Sequence, residues 1–396
     1  MSARMIALAV SLIAPMAFAD QLTLLDGTVI GKAPVKAIDE DGAITFGSKK
    51  INLQKLRRIH NQGVKADALP LRVTRLFLTD GSVIVAKKLK IDGETVTFSL
   101  AEAEAASLPL TSLRGVVFMP MSADESGRLI PDPAFADVLA DATDRQDTLF
   151  VINDDSIMTV RGVLESVGAE DVEFNWNDKS RTIALNKLYG ITAAAPAVPP
   201  KVVGQARVHL KGGSTLWATP TLRNDRLTLT RNDGLTLTVP WNRVMRMDVN
   251  SRRMAFLSDL KPTSMTNRPI ASTPHPPVMD GSVSMGVLRI GDREFERGIG
   301  IHAPTEMTWQ IDGAYDQLAM VIGIDEAVGN RGDCVVRIMG DGRQLLNKRL
   351  TGSDEPMTVN LEVTGVEQLT IIAEAGNGLD LGDHVNLADA RLIKNE

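Results

Sequence analysis

The sequence predicts an all-β protein, tandem small barrels followed by a β-sandwich. Short runs that are apolar or alternate apolar with polar recur along most of the chain, punctuated by Gly, Asp and Asn, which is the pattern of strands and turns. Before residue 253 a block of such runs repeats four times. From residue 253 to the end the runs continue without the repeat, as expected for one separate domain.

The chain opens with Arg4 and an apolar stretch, Met5 to Phe18, that closes on Ala17-Phe18-Ala19 before Asp20. Charge, length and the small-residue ending predict a secretory signal peptide, residues 1–19, cleaved after Ala19. The stretch is too short to span a bilayer, and no other run approaches that length, so a protein secreted or held in the periplasm, without a membrane span, is expected.

The repeats follow. Opening segments align as LTLLDGTVIGK (22–32), LFLTDGSVIVAK (76–87), LFVINDDSIMTVRG (149–162) and VHLKGGSTLWA (208–218). Closing segments align as INLQKLRRIH (51–60), LPLTSLRGVVF (108–118), IALNKLYGIT (183–192) and VPWNRVMRMDV (239–249). Each copy reads as strand, DG-type turn, long strand, strand, strand, short turn, strand, with boundaries at 20–62, 72–119, 147–194 and 204–252. Such a unit resembles an SH3-like or Sm-like barrel and buries little by itself, so the copies are expected to pack on one another. The alignment places Leu53, Leu110, Leu185 and Trp241 at one inward position, with Asn52, Gln54, Thr111 and Asn186 on the outer face.

An insertion at 120–146 separates the second and third copies; Pro133 there could open a short helix carrying Phe135, Val138 and Leu139 on one face. AAAPAVPPK (193–201) reads as a semi-stiff linker, assigned to 195–203, and PIASTPHPPVMDG (269–281) as a Pro-rich loop within the last domain. In that domain Gly340-Asp341-Gly342-Arg343 lies between two apolar runs and predicts a hairpin turn.

Composition narrows the function. A net charge of −6 leaves no basic footprint for nucleic acid. The single Cys334 cannot form an intramolecular disulfide and sits in an apolar run, as a core residue would. There is no HExxH, no G-x-S-x-G, no Walker loop and no paired Cys for zinc, so the expectation is a protein without catalytic activity.

Five segments of the last domain carry a resemblance: FLSDL (256–260), RGIGIHAPTEMTWQIDG (297–313), VIGIDEAVGNRGD (321–333), DGRQLL (341–346) and GDHVNLADARL (382–392). In this order they resemble the NPCBM family of carbohydrate-binding modules, which implies a galactose-binding-like jelly roll over 253–396 and a glycan ligand of galactose or a related type. His302, Asp383 and His384 match positions that the family pattern stresses, and Asp325 and Arg331 lie in an exposed-type Gly-rich loop, so these five are the expected carbohydrate-binding residues. No catalytic residue and no required cofactor are expected. Related jelly rolls often hold a structural calcium, and Asp259 and Asp389 stand at comparable places, offering the hard oxygen ligands that ion prefers. The sequence departs from the family pattern at Leu387, where Trp is usual; with 4% aromatic residues, Trp309 and Tyr315 are the remaining aromatics that could support a sugar ring.

The function read from these features is a secreted, non-catalytic carbohydrate-binding protein with the repeats as scaffold. The alternative is a structural or protein-interaction envelope protein, with an envelope protein as partner, whose sandwich no longer binds sugar.

Overall fold

The computed structural model describes residues 20–395 apart from 69–72, 102, 104, 124–128, 154–155, 197, 199, 272 and 378. The expected signal peptide therefore lies outside the described residues. The chain is all-β in architecture, with one short α-helix, and no described helix is long and apolar enough to cross a membrane.

Each repeat begins with a strand, Asp20–Leu24, Thr74–Leu78, Asp147–Asn153 or Ala206–Leu210, and ends with a 3₁₀ turn and a last strand. The DG turns form because Gly27 and Gly81 adopt φ of 93° and 81°, where a Cβ is strained. The expected long strand is continuous in the third and fourth copies, Ser156–Val167 and Thr215–Arg223. In the first copy it is split at Pro34, into Val29–Ala33 and Val35–Ile38. Proline has no N–H for the ladder, and the next amide, Val35, donates to the buried Asp20 carboxylate instead.

The closing turn corrects the expected register. Leu53, Leu110, Leu185 and Trp241 each open the 3₁₀ helix, but only Leu53 and Trp241 are buried; Leu110 and Leu185 are half-exposed. The equivalent fully buried residues come three positions later: Leu56, Leu113, Leu188 and Val244. A 3₁₀ turn rotates the chain so that residue i+3 repeats the direction of residue i, and the strand that starts there drives its first side chain into the core. Asn52, Thr111 and Asn186 do face solvent. Gln54 does not: it donates to the Gly204 carbonyl at 3.1 Å and accepts from the Arg252 amide at 2.9 Å, tying the first repeat to both ends of the fourth.

In every copy the last strand pairs with the first. The last strands then pair across copies, and not in sequence order: Leu56–Asn61 with Val244–Val249, and Leu113–Val117 with Leu188–Thr192. The first repeat is thus joined to the fourth and the second to the third, around one continuous apolar core. The helix Pro133–Ala140, capped by Asp132, covers the second pair. Its Phe135 is fully buried, with ring centroids 5.0 Å from Phe150 and 5.8 Å from both Phe77 and Tyr189. The helix can come this close because Gly190 lies beneath it; a Cβ there would stand 2.9 Å from the Phe135 ring.

The last domain is a two-sheet sandwich. One sheet orders Val278–Met279, Gly298–His302, His384–Ile393, Gln317–Ile324 and Met357–Glu362, with Met254–Phe256 also on His384–Ile393. The other orders Ser264–Asn267, Thr305–Gln310, Gln368–Ala375, Asp333–Gly340 and Arg343–Thr351. Alternate residues of both meet in the core, including Met307, Trp309, Cys334, Ile371 and Leu387. Asp341 and Gly342 make the expected hairpin turn, with φ of 49° and 76°. The sandwich docks on the first repeat through the buried cluster Leu25, Met254, Phe256, Ala319 and Ile393.

Candidate functional site

At one end of the sandwich four loops converge on the start of the central strand His384–Ile393. They are the Pro-rich loop between Asn267 and Val278, the turn at 280–286, the 3₁₀ loop Glu326–Arg331 and the loop at 376–383. Three carboxylates hold them together. Asp325 caps the 3₁₀ loop by accepting from the Ala327 amide at 3.0 Å, and accepts from the Ser282 hydroxyl in the neighbouring turn. Asp380 accepts from the amides of Ile270 and Ala271 at 2.7 and 2.8 Å. Asp383 accepts from the amides of Asp333 and Gly376 at 3.1 and 3.2 Å. All six carboxylate oxygens are thereby directed into the protein.

Among these loops sit three histidines. His302 is 1% exposed, its Nε2 2.8 Å from the Asp380 carbonyl. His275 and His384 are half-buried beside it, with ring centroids 5.0 Å from His302 in each case and 6.1 Å from each other. His384 Nδ1 lies 2.8 Å from the Ser284 hydroxyl. Burial first, then repulsion from His302, His275 and Arg331, outweighs the attraction of Asp325 and lowers the His384 pKa to about 4. Burial likewise raises the Asp383 carboxyl, against the two amides that it accepts from. Arg331 is exposed at the rim, its Cβ 3.6 Å from where a Cβ on Gly382 would stand.

The structure thus brings His302, Asp325, Asp383 and His384 into one loop cluster, with Arg331 at its edge. It also turns three of the five inward: the polar groups of Asp325 and Asp383 and the Nε2 of His302 are engaged by the loops themselves. Sequence reasoning passed over His275, Ser282, Ser284 and Asp380. His275 sits in a segment read as a Pro-rich loop, and its HPP setting offers no periodicity to mark it. Asp380 is one of many loop aspartates, distinguished only by the amides that it meets.

The aromatic question is settled by direction. Leu387 is fully buried, opposite Ile299 and Ile322 in the sheet, so that position points into the core and not at the loops. Trp309 is also a core residue, donating through Nε1 to the Leu260 carbonyl. Tyr315 stands beside Lys394 at the far end of the central strand, roughly 30 Å from His384 at 3.3 Å per residue. Exposed apolar side chains at the loop end include Ile270, Met285, Leu379 and Leu381, all more than half accessible.

The expected calcium ligands are engaged otherwise. Asp389 pairs with Arg57 at 3.1 Å and Arg391 at 3.0 Å, and Asp259 pairs with Arg297. Burial raises the Asp389 carboxyl, but Arg57 and Arg391 together hold it below the ordinary range. Guanidinium groups thus engage both carboxylates and would compete with a calcium ion for their oxygens. Among the described residues no group of three or more His, Cys, Asp or Glu side chains is disposed to hold a metal.

The polar loops thus gather at one end of a two-sheet scaffold, a placement in which loops often carry function. Residues 253–393 match the family model described as the NPCBM/NEW2 domain. No curated protein matches the chain. Among solved structures, the chain is similar to the CBM51 module of the GH95 protein from Clostridium perfringens, in complex with methyl-galactose, at 20% identity, covering 35% of this chain and 99% of that one with a TM-score of 0.32. It is similar to the CBM51-2 and INT domains of ZmpB from the same organism at 21% identity, covering 43% and 36% with a TM-score of 0.33. The tandem CBM51 modules of Sp3GH98, the family 98 glycoside hydrolase from Streptococcus pneumoniae SP3-BS71, are similar at 13% identity, covering 81% and 88% with a TM-score of 0.32.

Proposed function

We propose that this is a secreted, non-catalytic carbohydrate-binding protein whose sandwich takes a galactose-type or related sugar at the loop end, with the repeats as scaffold. The observation that carries the reading is the match of residues 253–393 to the NPCBM/NEW2 domain. The chemistry of the loop end supports it. His384 Nε2, His275 and the terminal nitrogens of Arg331 are among the side-chain groups that can meet sugar hydroxyls once the aspartates are spent on the loops. Met285, Leu379 and Leu381 offer aliphatic surface for the C–H face of a ring, in place of an aromatic platform. His302, Asp325 and Asp383 act as positioning residues that hold this arrangement. Asp325, Asp380 and Asp383 are engaged by the loops themselves, which makes them poor candidates for the two available carboxyl groups that glycoside hydrolysis needs.

Few groups reach one sugar, so the expected affinity is micromolar to millimolar, roughly 4 to 8 kcal/mol. Titration calorimetry of the mature chain against galactose, N-acetylgalactosamine, N-acetylglucosamine and fucose tests the reading. Heat with at least one sugar, lost in His384→Ala and Arg331→Ala, is the expected result. A folded protein that gives no heat with any of them overturns it and leaves the structural or protein-interaction alternative.

A further inference from the structure

A cleft of about 560 Å³ separates the sandwich from the repeats. The first repeat supplies Thr23 and Arg58, the fourth supplies Arg246, and the sandwich supplies the short hairpin Leu288–Ile290 with Arg293–Phe295. Six arginines and four carboxylates line it, and three of the carboxylates are paired with arginines. Asp389 is held by Arg57 and Arg391, Glu296 by Arg246, Glu294 by Arg289, and Asp26 accepts from the Thr28 amide.

The arginines are not all committed. Asp248, beneath the cleft, is shared by Arg57, Arg58, Arg246 and His209, so Arg58 contributes only its Nε to that carboxylate. Both terminal nitrogens of Arg58 have no protein acceptor among the described residues. Arg293 is exposed, lies 5.0 Å from the centre of the Phe295 ring and pairs with no carboxylate among the described residues, which leaves its guanidinium fork open. Arg57 Nε is buried without an acceptor. The cleft therefore has a surplus of N–H donors whatever its net charge. Guanidinium forks match the paired oxygens of carboxylate, sulfate and phosphate groups, and the partial shelter between two domains strengthens such pairs.

We propose that this cleft is a second binding site, distinct from the loop end, for a small oxyanion-bearing ligand such as an acidic sugar, its anionic group taken by Arg58 and Arg293. Thr23 and Thr358 line the same cleft and supply hydroxyls for the uncharged part.

The test is calorimetry on the mature full-length chain at low salt with sodium sulfate, sodium phosphate and D-galacturonate, and with D-galactose as the uncharged control. Saturable binding of at least one anion is expected, weakened about tenfold in Arg293→Ala and in Arg58→Ala by loss of a charge-assisted pair. Binding of galacturonate alone identifies a carboxylate ligand, and binding of an inorganic anion alone identifies a sulfate or phosphate ester. Arg293→Ala removes an exposed side chain with no ion pair, so its melting temperature should be unchanged. His384→Ala should leave anion binding intact, which separates this site from the loop end whether or not the loops bind sugar. Absence of saturation with all three anions, full binding by the Arg58→Ala/Arg293→Ala double variant, or loss of anion binding in His384→Ala overturns the proposal.

Discussion

His384 carries a charge state that burial sets, and its consequence can be signed. The ordinary imidazole titrates near 6.5 and the folded one near 4, so between these values the unfolded chain binds a proton that the folded chain does not. Stability present above pH 6.5 is therefore lost as the pH falls toward 4. The melting temperature of residues 20–396 should drop across that window, and His384→Gln should reduce the drop; an identical pH profile in the variant would remove His384 as the cause. The core leucines make a second prediction. Leu56→Ala, Leu113→Ala and Leu188→Ala should each cost about 2 to 5 kcal/mol in urea unfolding, because each empties a fully buried site. Leu110→Ala and Leu185→Ala remove half-exposed side chains and should cost roughly 1 kcal/mol.

At the scale of elements, the strands and turns were legible because their causes are local. Asp341-Gly342 turns the Asp333–Gly340 and Arg343–Thr351 strands because Gly342 takes positive φ, and Gly342→Ala should cost about 1 kcal/mol or more in the same assay. The helix Pro133–Ala140 was legible for the same reason: Pro133 presets φ at its first residue, and Phe135, Val138 and Leu139 share a face. Asp132→Ala should remove about 1 kcal/mol of capping. A short turn was legible at this place in every copy, since LQK, LTS, LNK and WNR each open on a large apolar residue with another apolar residue three positions on, but its 3₁₀ conformation was not. The turns shifted the buried position by three residues.

At the scale of the molecule, Arg57 joins the parts. Its side chain is 9% exposed, stacks 5.0 Å from the Phe256 ring, and pairs with Asp248 of the fourth repeat and Asp389 of the sandwich. Phe256 carries Arg297 as well, at 4.6 Å, and Arg391 donates to the Leu25 carbonyl at 2.6 Å. Arg57→Ala removes one of several cations from Asp248 and one of two from Asp389, and should cost roughly 1 to 3 kcal/mol. Urea unfolding should then show the sandwich and the repeats melting apart, with faster proteolysis near residue 250. A single cooperative transition at the wild-type midpoint would show that the joint is held by the apolar cluster alone.

The sequence by itself determined the all-β class, the four copies and the five motifs that mark the sandwich, because alternation, turn glycines and short motifs are properties of adjacent residues. It also named four of the residues that meet at the loop end, among them His302 and His384. Which groups there face outward was decided by tertiary structure. Asp325 meets the Ser282 hydroxyl, Asp383 the Asp333 amide and Asp389 the Arg57 guanidinium, each from a segment far off in the chain, and Leu387 takes its direction from the pleat of a strand whose neighbours are Gly298–His302 and Gln317–Ile324. The joining of the first repeat to the fourth, and of the second to the third, was decided there too. All four last strands present similar edges, and the choice among them depends on how whole copies pack around one core, which no local run of residues encodes.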